Sequence, residues 1–526
     1  MSAGKNIFFY GKDSLTVGAA LRIVQGESKA VLDGDTKQRV KRSRKYVRKM
    51  VENKDTVYGI TTGFGPLCTT NISPEETQKL QHNILKSHSV GVGESIPDSI
   101  VRLMLILKIH ALSKGFSGIS PSTLERMIHL FEQNIVPVVP AQGSVGASGD
   151  LAPLAHLFLP LIGLGRVRFQ GKEKSAGDVL RKLNLKPLEL GPKEGLALIN
   201  GTQFMTAFAA SGLARFLNCL DNADIVGAMS LDALMGSVQP FNAALQNLRP
   251  YTGGRHAAHR IRSLLTGSEI NVSHRDCGRV QDPYSLRCMS HVHGASRNAW
   301  LHLKETLHVE MNAVTDNPVI LEDGSAVSGG NFHGQPLALP LDYASLASSE
   351  LGNISDRRTY LMLKGDSCGL PRLLVDHSGI NSGFMILQYT SAALASENKS
   401  LCFPPSADSI PTSLGQEDHV SMGAVSGRRL HDILQNLENI LAVELLAATQ
   451  ALDFRKPLKT GKILNDCYKR VREKIDHLDE DRLLERDLKE ARKLITSGEL
   501  VRISADTAKK HGLNLAGDDG PLFILD

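Results

Sequence analysis

The chain of 526 residues lacks several features that mark specialised classes of protein. Its seven cysteines are an odd number with no Cys-x-x-Cys pair, which favours free thiols in a reducing compartment. Aromatic residues make up only 5%, which argues against a surface that stacks on nucleic-acid bases. The longest apolar run, residues 151–164, is short for a membrane span, and the N-terminus opens no apolar signal segment. We therefore expect a soluble cytoplasmic protein with no membrane partner.

Charge is also close to balanced, with a net charge of +5 over the whole length. That excess is too small to indicate nucleic-acid binding. The most basic stretch, residues 37–49, carries Val40 and Val47 at near-helical spacing. It predicts a helix with a solvated charged face, and a phosphate-binding patch is the less favoured alternative.

What the sequence does contain is long helical periodicity. Apolar side chains step by three and four residues from Leu430 to Leu452, and nearly so from Ala344 to Leu361, as in the core helices of a bundle. Strand signals are few, apart from a short hairpin at residues 166–172. We predict a mainly α fold with two parts: an N-terminal region, 1–211, with a reactive loop and a lid loop, and a long helical bundle, 212–526, with C-terminal helices. The tail from 470 to 494 reads as one charged amphipathic helix.

The most informative stretch is Gly143-Ser-Val-Gly-Ala-Ser-Gly-Asp-Leu-Ala-Pro-Leu-Ala-His156. Composition alone is typical of a turn followed by a buried helix, with Asp150 as its N-cap. The order Ala147-Ser148-Gly149 allows a second interpretation. If the Gly149 nitrogen attacks the Ala147 carbonyl and two waters are lost, Ser148 becomes an exocyclic methylidene, and the loop carries its own electrophile.

Residues 143–156 closely resemble the signature of the aromatic amino-acid ammonia-lyases and aminomutases. In that family the Ala-Ser-Gly triplet cyclises to 4-methylideneimidazol-5-one (MIO). Such a group suits the removal of ammonia from an α-amino acid, because a covalent electrophile turns the amine into a better leaving group. The resemblance extends over roughly residues 58–452, and it implies that no diffusible cofactor or metal is needed.

A glycine-rich loop at residues 57–66 carries Tyr58, and its three glycines and proline exclude a regular helix or a central strand. Without context, Tyr58 would be read as a packed aromatic residue. The loop is similar to the family's lid, and the resemblance implies that Tyr58 is the base that removes the β-proton.

Four further stretches match the family: residues 193–203, 281–288, 312–318 and 329–334. The guanidinium of Arg287 suits bidentate binding of a carboxylate. The resemblance assigns Gln281 and Arg287 to the substrate, Tyr284 to the reacting centre, Asn200 to the prosthetic group or the substrate carboxylate, and Phe332 to packing against the MIO.

Substrate preference rests on two places. Ser87-His88 and Glu397 resemble the pattern of the histidine-acting members, in which a glutamate can pair with the imidazole. Met289-Ser290-His291 and Gln335 depart from the usual residues. His291 and His293 could also be read as a metal pair, but two histidines without a third ligand are a weak signal.

The leading hypothesis is a non-oxidative ammonia-lyase that converts L-histidine to trans-urocanate and ammonia through the MIO. One alternative keeps the group but acts as a lyase on another amino acid, or as a 2,3-aminomutase, which differs mainly in how long the lid retains the product. A second alternative is an inactive helical scaffold or binding protein. The Gly-Ser-Ser-x-Met-Pro loop of fumarase-type enzymes is absent. The resemblance further implies a homotetramer with active sites shared between subunits.

Overall fold

The structure is a computed structural model that describes residues 7–70, 72–365 and 368–526. The prediction of a mainly α fold is confirmed. The N-terminal part contains these helices: α1 Val17–Gln25, α2 Gly34–Glu52, α3 Pro74–His88, α4 Asp98–Ser113, α5 Pro121–Glu132, α6 Leu151–Phe158, α7 Ala176–Lys182 and α8 Glu194–Ile199.

The rest of the chain contains the long helices and a group of shorter ones. They are α9 Gln203–Ala233, α10 Ala243–Asn247, α11 Thr252–Leu264, α12 Glu269–Ser273, α13 Tyr284–Arg287, α14 Met289–Met311, α15 Gln335–Lys364, α16 Met385–Leu401, α17 Gly423–Asp453, α18 Lys462–Arg472, α19 Glu485–Thr496 and α20 Glu499–Lys510.

Strands are short and peripheral. They are β1 Ile7–Phe9, β2 Lys29–Val31, β3 Val92–Ser95, β4 Val136–Pro137, β5 Pro140–Gln142, β6 Arg166–Phe169, β7 Lys172–Ser175, β8 Val319–Ile320 and β9 Ala326–Val327. The pair β1–β2 is parallel, whereas β3–β5, β4–β6, β6–β7 and β8–β9 are antiparallel. The predicted hairpin is the β6–β7 pair, with Phe169 opposite Lys172.

Four long helices, α9, α14, α15 and α17, pack against one another as the central bundle. On α17 the predicted stripe is fully buried, as shown by Leu430, Leu434, Leu437 and Leu441. Helix α9 is apolar nearly all round, as expected for a helix surrounded by others. The bundle is therefore held by the packing of large aliphatic side chains, each worth about 1.5–3 kcal/mol when buried.

The predicted boundary between residues 211 and 212 falls inside α9, which runs unbroken from Gln203 to Ala233. Apolar residues from both sides of that position share one continuous core. The helix starts beside the reactive loop and continues into the bundle, so it connects the two predicted regions mechanically.

The prediction of one helix from 470 to 494 is wrong, because α18 ends at Arg472 and α19 begins at Glu485. Tertiary hydrogen bonds hold the intervening segment out of helical geometry. The carboxylate of Asp481 accepts from the backbone N–H groups of Ser382 and Gly383, both at 2.8 Å, and the Leu478 N–H donates to a side-chain oxygen of Gln450. In residues 7–70, 72–365 and 368–526 no helix combines the length and apolar character that a bilayer crossing requires.

Candidate active site

The reactive loop connects β5 to α6, and its conformation depends on glycine. Gly149 has φ +75°, and a Cβ there would lie 2.2 Å from the carbonyl oxygen of Gly201. Gly146 has φ +68°, and a Cβ there would lie 2.2 Å from Oγ of Ser421. Positive φ is costly for residues with a side chain, and here the space is also filled. The loop is therefore held closely between two distant parts of the chain.

Asp150 stands at the N-cap position of α6, but its carboxylate does not cap that helix. It accepts instead from the backbone N–H groups of Phe204 and Met205, both at 3.0 Å, in the first turn of α9. The prediction that Asp150 caps its own helix is wrong, because its carboxylate instead accepts hydrogen bonds from the buried N-terminal end of α9. Burial raises the pKa of Asp150 to about 7, although both N–H groups oppose the shift.

A second helix end meets the loop on another side. The Met422 N–H donates to the Val145 carbonyl oxygen at 2.9 Å, and the Ser421 hydroxyl donates to the Gly146 carbonyl oxygen at 3.0 Å, immediately before α17. Helix N-termini carry partial positive charge. The starts of α6, α9 and α17 thus favour negative charge that develops on the loop.

Asn200 follows the C-terminus of α8 and lies against the triplet. Its Nδ2 donates to the carbonyl oxygen of Ser148 at 2.7 Å. Its Oδ1 is buried and has no hydrogen-bond partner within the described part of the chain. Asn200 therefore lies next to the triplet, with one amide N–H directed at the Ser148 carbonyl oxygen.

The triplet opens onto a cavity of about 940 Å³. The lining brings together most of the residues predicted from the sequence: Tyr58, Ser87, His88, Ala147, Ser148, Asn200 and Phe332. Gly149 lies buried behind its neighbour Ser148. Residues that are separated by up to 274 positions in the sequence thus share one concave site, the usual setting for small-molecule binding.

Tyr58 lies in a loop without regular helix or strand, as predicted, and a short 3₁₀ helix at Gly65–Leu67 follows it. The phenolic oxygen accepts the Gly65 N–H at 3.1 Å. Burial raises the pKa of Tyr58; the Gly65 bond acts in the opposite direction, and Cys68 and Glu417 add to the rise. The phenolate, when formed, is therefore a stronger base than free tyrosine.

Ser87 and His88 end helix α3 at the cavity wall. The Ser87 hydroxyl and Nδ1 of His88 lie 3.0 Å apart. Burial lowers the pKa of His88, although a backbone bond from Ile84 and the charge of Glu417 favour protonation. The ring is thus neutral at pH 7 and can exchange hydrogen bonds with a polar ligand.

Four predicted site residues do not line this cavity: Gln281, Tyr284, Arg287 and Glu397. Tyr284 is 70% exposed, and Gln281 and Glu397 are also exposed. The guanidinium of Arg287 lies over the Tyr284 ring, 4.6 Å from its centroid. Arg287, which was predicted to bind the substrate carboxylate, therefore does not reach the cavity of its own chain.

Sequence reasoning missed Glu417, which contacts the triplet directly. Its Oε1 accepts from the Ser148 hydroxyl, and its Oε2 accepts from the hydroxyls of Thr412 and Ser413, both at 2.9 Å. The signal was the polar run Gln-Glu-Asp-His at 416–419, which interrupts a small-residue segment just before α17. The Glu417 carboxylate is thereby fixed in position beside the Ser148 hydroxyl.

The possible metal pair is not formed. His291 is exposed, whereas His293 is fully buried and its Nδ1 lies 2.8 Å from Oδ1 of Asp224. The other nitrogen of His293 lies 3.4 Å from a guanidinium nitrogen of Arg358. His293 therefore belongs to a buried network of charges that links α9, α14 and α15.

The sequence profile described as aromatic amino acid lyase matches residues 15–473. A histidine ammonia-lyase of Anaeromyxobacter dehalogenans is 46% identical over 498 residues, which cover 93% of this chain and 98% of that protein.

Two solved structures share the fold at a TM-score of 0.90. The histidine ammonia-lyase of Trypanosoma cruzi is 37% identical, with 99% of this chain and 98% of that chain covered. The tyrosine aminomutase of Streptomyces globisporus is 33% identical, with 95% of this chain and 98% of that chain covered. The sequence profile, the similar sequences and the shared fold all point to one family. The chain therefore belongs to the aromatic amino acid lyase family.

Proposed function

We propose that the protein is a non-oxidative ammonia-lyase that converts L-histidine to trans-urocanate and ammonia. The observation that carries the proposal is the shared cavity of Ser148, Tyr58 and His88 with the carboxylate of Glu417. A neutral imidazole and a fixed carboxylate suit a substrate that carries its own imidazole. The histidine ammonia-lyases among the relatives support the same substrate.

The residues present fit an MIO formed from Ala147, Ser148 and Gly149. Gly149 has no room for a side chain, and Asn200 presents a donor to the Ser148 carbonyl oxygen, which the ring would retain. The buried Oδ1 of Asn200 still lacks a partner within the described residues. When formed, the group supplies an electrophilic carbon that binds the substrate amine.

The chain's own side chains do the rest. Asn200 stabilises negative charge on the Ser148 carbonyl oxygen, and the helix ends around the loop add to that stabilisation. Tyr58 takes the β-proton. His88 and Glu417 hold the imidazole, and the lid around Tyr58 excludes water while the amine departs.

We also infer a homotetramer with shared active sites. Helix α15 exposes Leu339, Tyr343 and Leu346 at helical spacing, and α16 exposes Ile386 and Tyr389. Apolar patches of this kind usually mark contacts with another chain. In such an assembly the exposed Tyr284, with Arg287 and Gln281, reaches the cavity of a neighbouring subunit, where Arg287 holds the substrate carboxylate. The odd number of cysteines supports a reducing, cytoplasmic location.

Two measurements test the activity. Intact mass should show a subunit lighter than its sequence by two waters. A panel of L-amino acids, followed by release of ammonia and absorbance of the conjugated acid, should give turnover with histidine. Release of ammonia from another amino acid but not from histidine would show that histidine is not the substrate. A product with the amine on the β-carbon would show an aminomutase, the activity in the name of the Streptomyces globisporus neighbour.

Subunit sharing has its own test. Tyr58→Phe and Arg287→Met variants should each be nearly inactive. When the two are co-expressed and purified as mixed oligomers, some sites carry both native residues and activity should return. If Tyr58 and Arg287 of one chain served the same site, mixing would restore nothing.

A further inference from the structure

A buried lysine lies behind the reactive loop, outside the cavity. Lys108, on α4, is 1% exposed, and its ammonium donates to the carbonyl oxygen of Asn200 at 2.5 Å and to Oε1 of Gln203 at 3.3 Å. The amide of Gln203 is turned towards the lysine because its Nε2 donates to the Thr315 hydroxyl at 2.8 Å. None of the roles given above to the cavity residues accounts for a lysine side chain buried at this position.

The lysine acts on a segment that holds the loop at two points. Asn200 donates its side-chain N–H to the Ser148 carbonyl oxygen, and the Gly201 carbonyl oxygen accepts the Asp150 N–H at 2.7 Å. Gly149 and Gly201 also form an isolated parallel β-bridge. The segment Asn200–Gly201 thus holds the Ser148 carbonyl on one side of Gly149 and the Asp150 N–H on the other.

The space around Gly201 shows how closely the ammonium is fitted. Gly201 has φ +135°, and a Cβ there would lie 2.6 Å from Oε1 of Gln203 and 3.2 Å from Nζ of Lys108. Burial lowers the pKa of Lys108 to about 7, while the charges of Asp316 and Asp150 favour the ammonium and that of Lys193 opposes it. Whether charged or neutral, the Lys108 nitrogen retains N–H groups to donate.

We propose that Lys108 is a positioning residue for the electrophile: its Nζ fixes the Asn200–Gly201 peptide, and through it the geometry in which the Ala147-Ser148-Gly149 triplet cyclises. This inference rests on the proposed MIO. Cyclisation forms one bond, from the Gly149 nitrogen to the Ala147 carbonyl carbon. One water leaves with the Ala147 oxygen and the amide hydrogens of Ser148 and Gly149, and the second with the Ser148 hydroxyl and its Cα hydrogen.

The same placement affects the finished site. If the Asn200 peptide rotates, its side-chain N–H no longer points at the Ser148 carbonyl oxygen, and the charge that develops there loses a donor. Lys108 does not line the cavity, so substrate binding is not touched directly. Its loss should therefore appear in the mass of the subunit and in kcat, and hardly in KM.

The test compares Lys108→Met, Lys108→Gln and Lys108→Arg with the native chain. In Lys108→Met we expect most subunits to keep the unmodified mass, and the mature fraction to turn over at least tenfold more slowly with KM within twofold. Lys108→Arg, which keeps a donor at this depth, should recover much of the mature mass. Lys108→Gln covers the case in which the methionine variant does not fold.

Leu107→Ala provides the control, because Leu107 is buried next to Lys108 on the same helix. It should lower the melting temperature without changing the mass or the kcat per mature subunit. If Lys108→Met and Lys108→Gln behave like Leu107→Ala, Lys108 is only structural and the inference falls. An unmodified mass in the native chain would instead refute the proposed MIO, so the two failures are distinguishable.

Discussion

Replacing Gly149 with alanine tests the tight placement of the loop. The added Cβ would lie 2.2 Å from the Gly201 carbonyl oxygen, whereas real Cβ contacts stay above 3.0 Å. One of the two segments must therefore move by at least about 0.8 Å to restore van der Waals contact. That movement would lengthen the hydrogen bond from the Asp150 N–H to the Gly201 carbonyl oxygen, now 2.7 Å between nitrogen and oxygen, beyond the normal range.

The cost can be summed from its parts. A left-handed φ costs alanine about 1–2 kcal/mol. Loss of the bonds from Asp150 to Gly201 and from Asn200 to Ser148 costs about 1 kcal/mol each. Together these come to roughly 3–4 kcal/mol against the cyclising geometry, or a rate about 10²–10³ lower.

Intact-mass spectrometry of freshly purified protein is the direct assay. Gly149→Ala should retain the two waters that the native subunit loses. Gly171→Ala is the matched control: Gly171 has φ +72° in the β6–β7 turn, but a Cβ there meets nothing within 4 Å. It should carry the backbone penalty alone and mature fully. A Gly149→Ala subunit that matures at the native rate would refute the steric argument.

Four further outcomes are expected. Tyr58→Phe should lower kcat by about 10²-fold or more with a nearly unchanged KM, as steady-state urocanate formation would show, because only proton removal is lost. Asn200→Leu should lower kcat by about 10²–10³-fold, a single oxyanion donor being removed; an equal fall in affinity with kcat intact would contradict that role. Glu417→Gln should raise KM for histidine by about tenfold or more, because a charge-assisted hydrogen bond to the substrate imidazole is lost; Glu397→Gln, measured beside it, compares the two glutamates. A His110→Gln variant should lose stability less steeply than the native chain as pH falls from 6.5 to 4, because burial lowers the pKa of His110 to about 4 and protonation of this folded-state imidazole costs the native chain roughly 3 kcal/mol over that range. The same pH dependence of the melting temperature in the native chain and the variant would contradict this.

How far the sequence predicts the site depends on how local each signal is. The triplet and the Tyr58 loop could be read directly, because a few consecutive residues carry both the chemistry and the backbone conformation. The long helices were equally accessible, since the leucine stripe of α17 follows from a period repeated over many turns. Signals of this kind need no knowledge of the partner element.

What could not be read depends on partners far away in the chain. Asp150 has the composition of a local cap, yet its carboxylate serves α9, because two buried N–H groups there need an acceptor. Glu417 was missed because its importance comes from contact with Ser148, at a separation of 269 residues. Glu397 lies on the exposed face of α16 in a single chain, so its predicted role, like that of Arg287, depends on a neighbouring subunit and stays a prediction.

The arrangement also explains why a helical bundle suits this chemistry. An electrophile that must accept electrons needs positive potential at the loop, and a lysine inside the cavity would compete for the carboxylate of Glu417. Helix ends at Gln203 and Gly423 supply that potential from backbone N–H groups, which cannot react or lose a proton. The amine of Lys108 lies one layer behind, where it donates to the Asn200 carbonyl oxygen without entering the cavity. Among the described residues, no lysine or arginine lines the cavity, and the helix ends and the Asn200 segment act on the triplet from behind it.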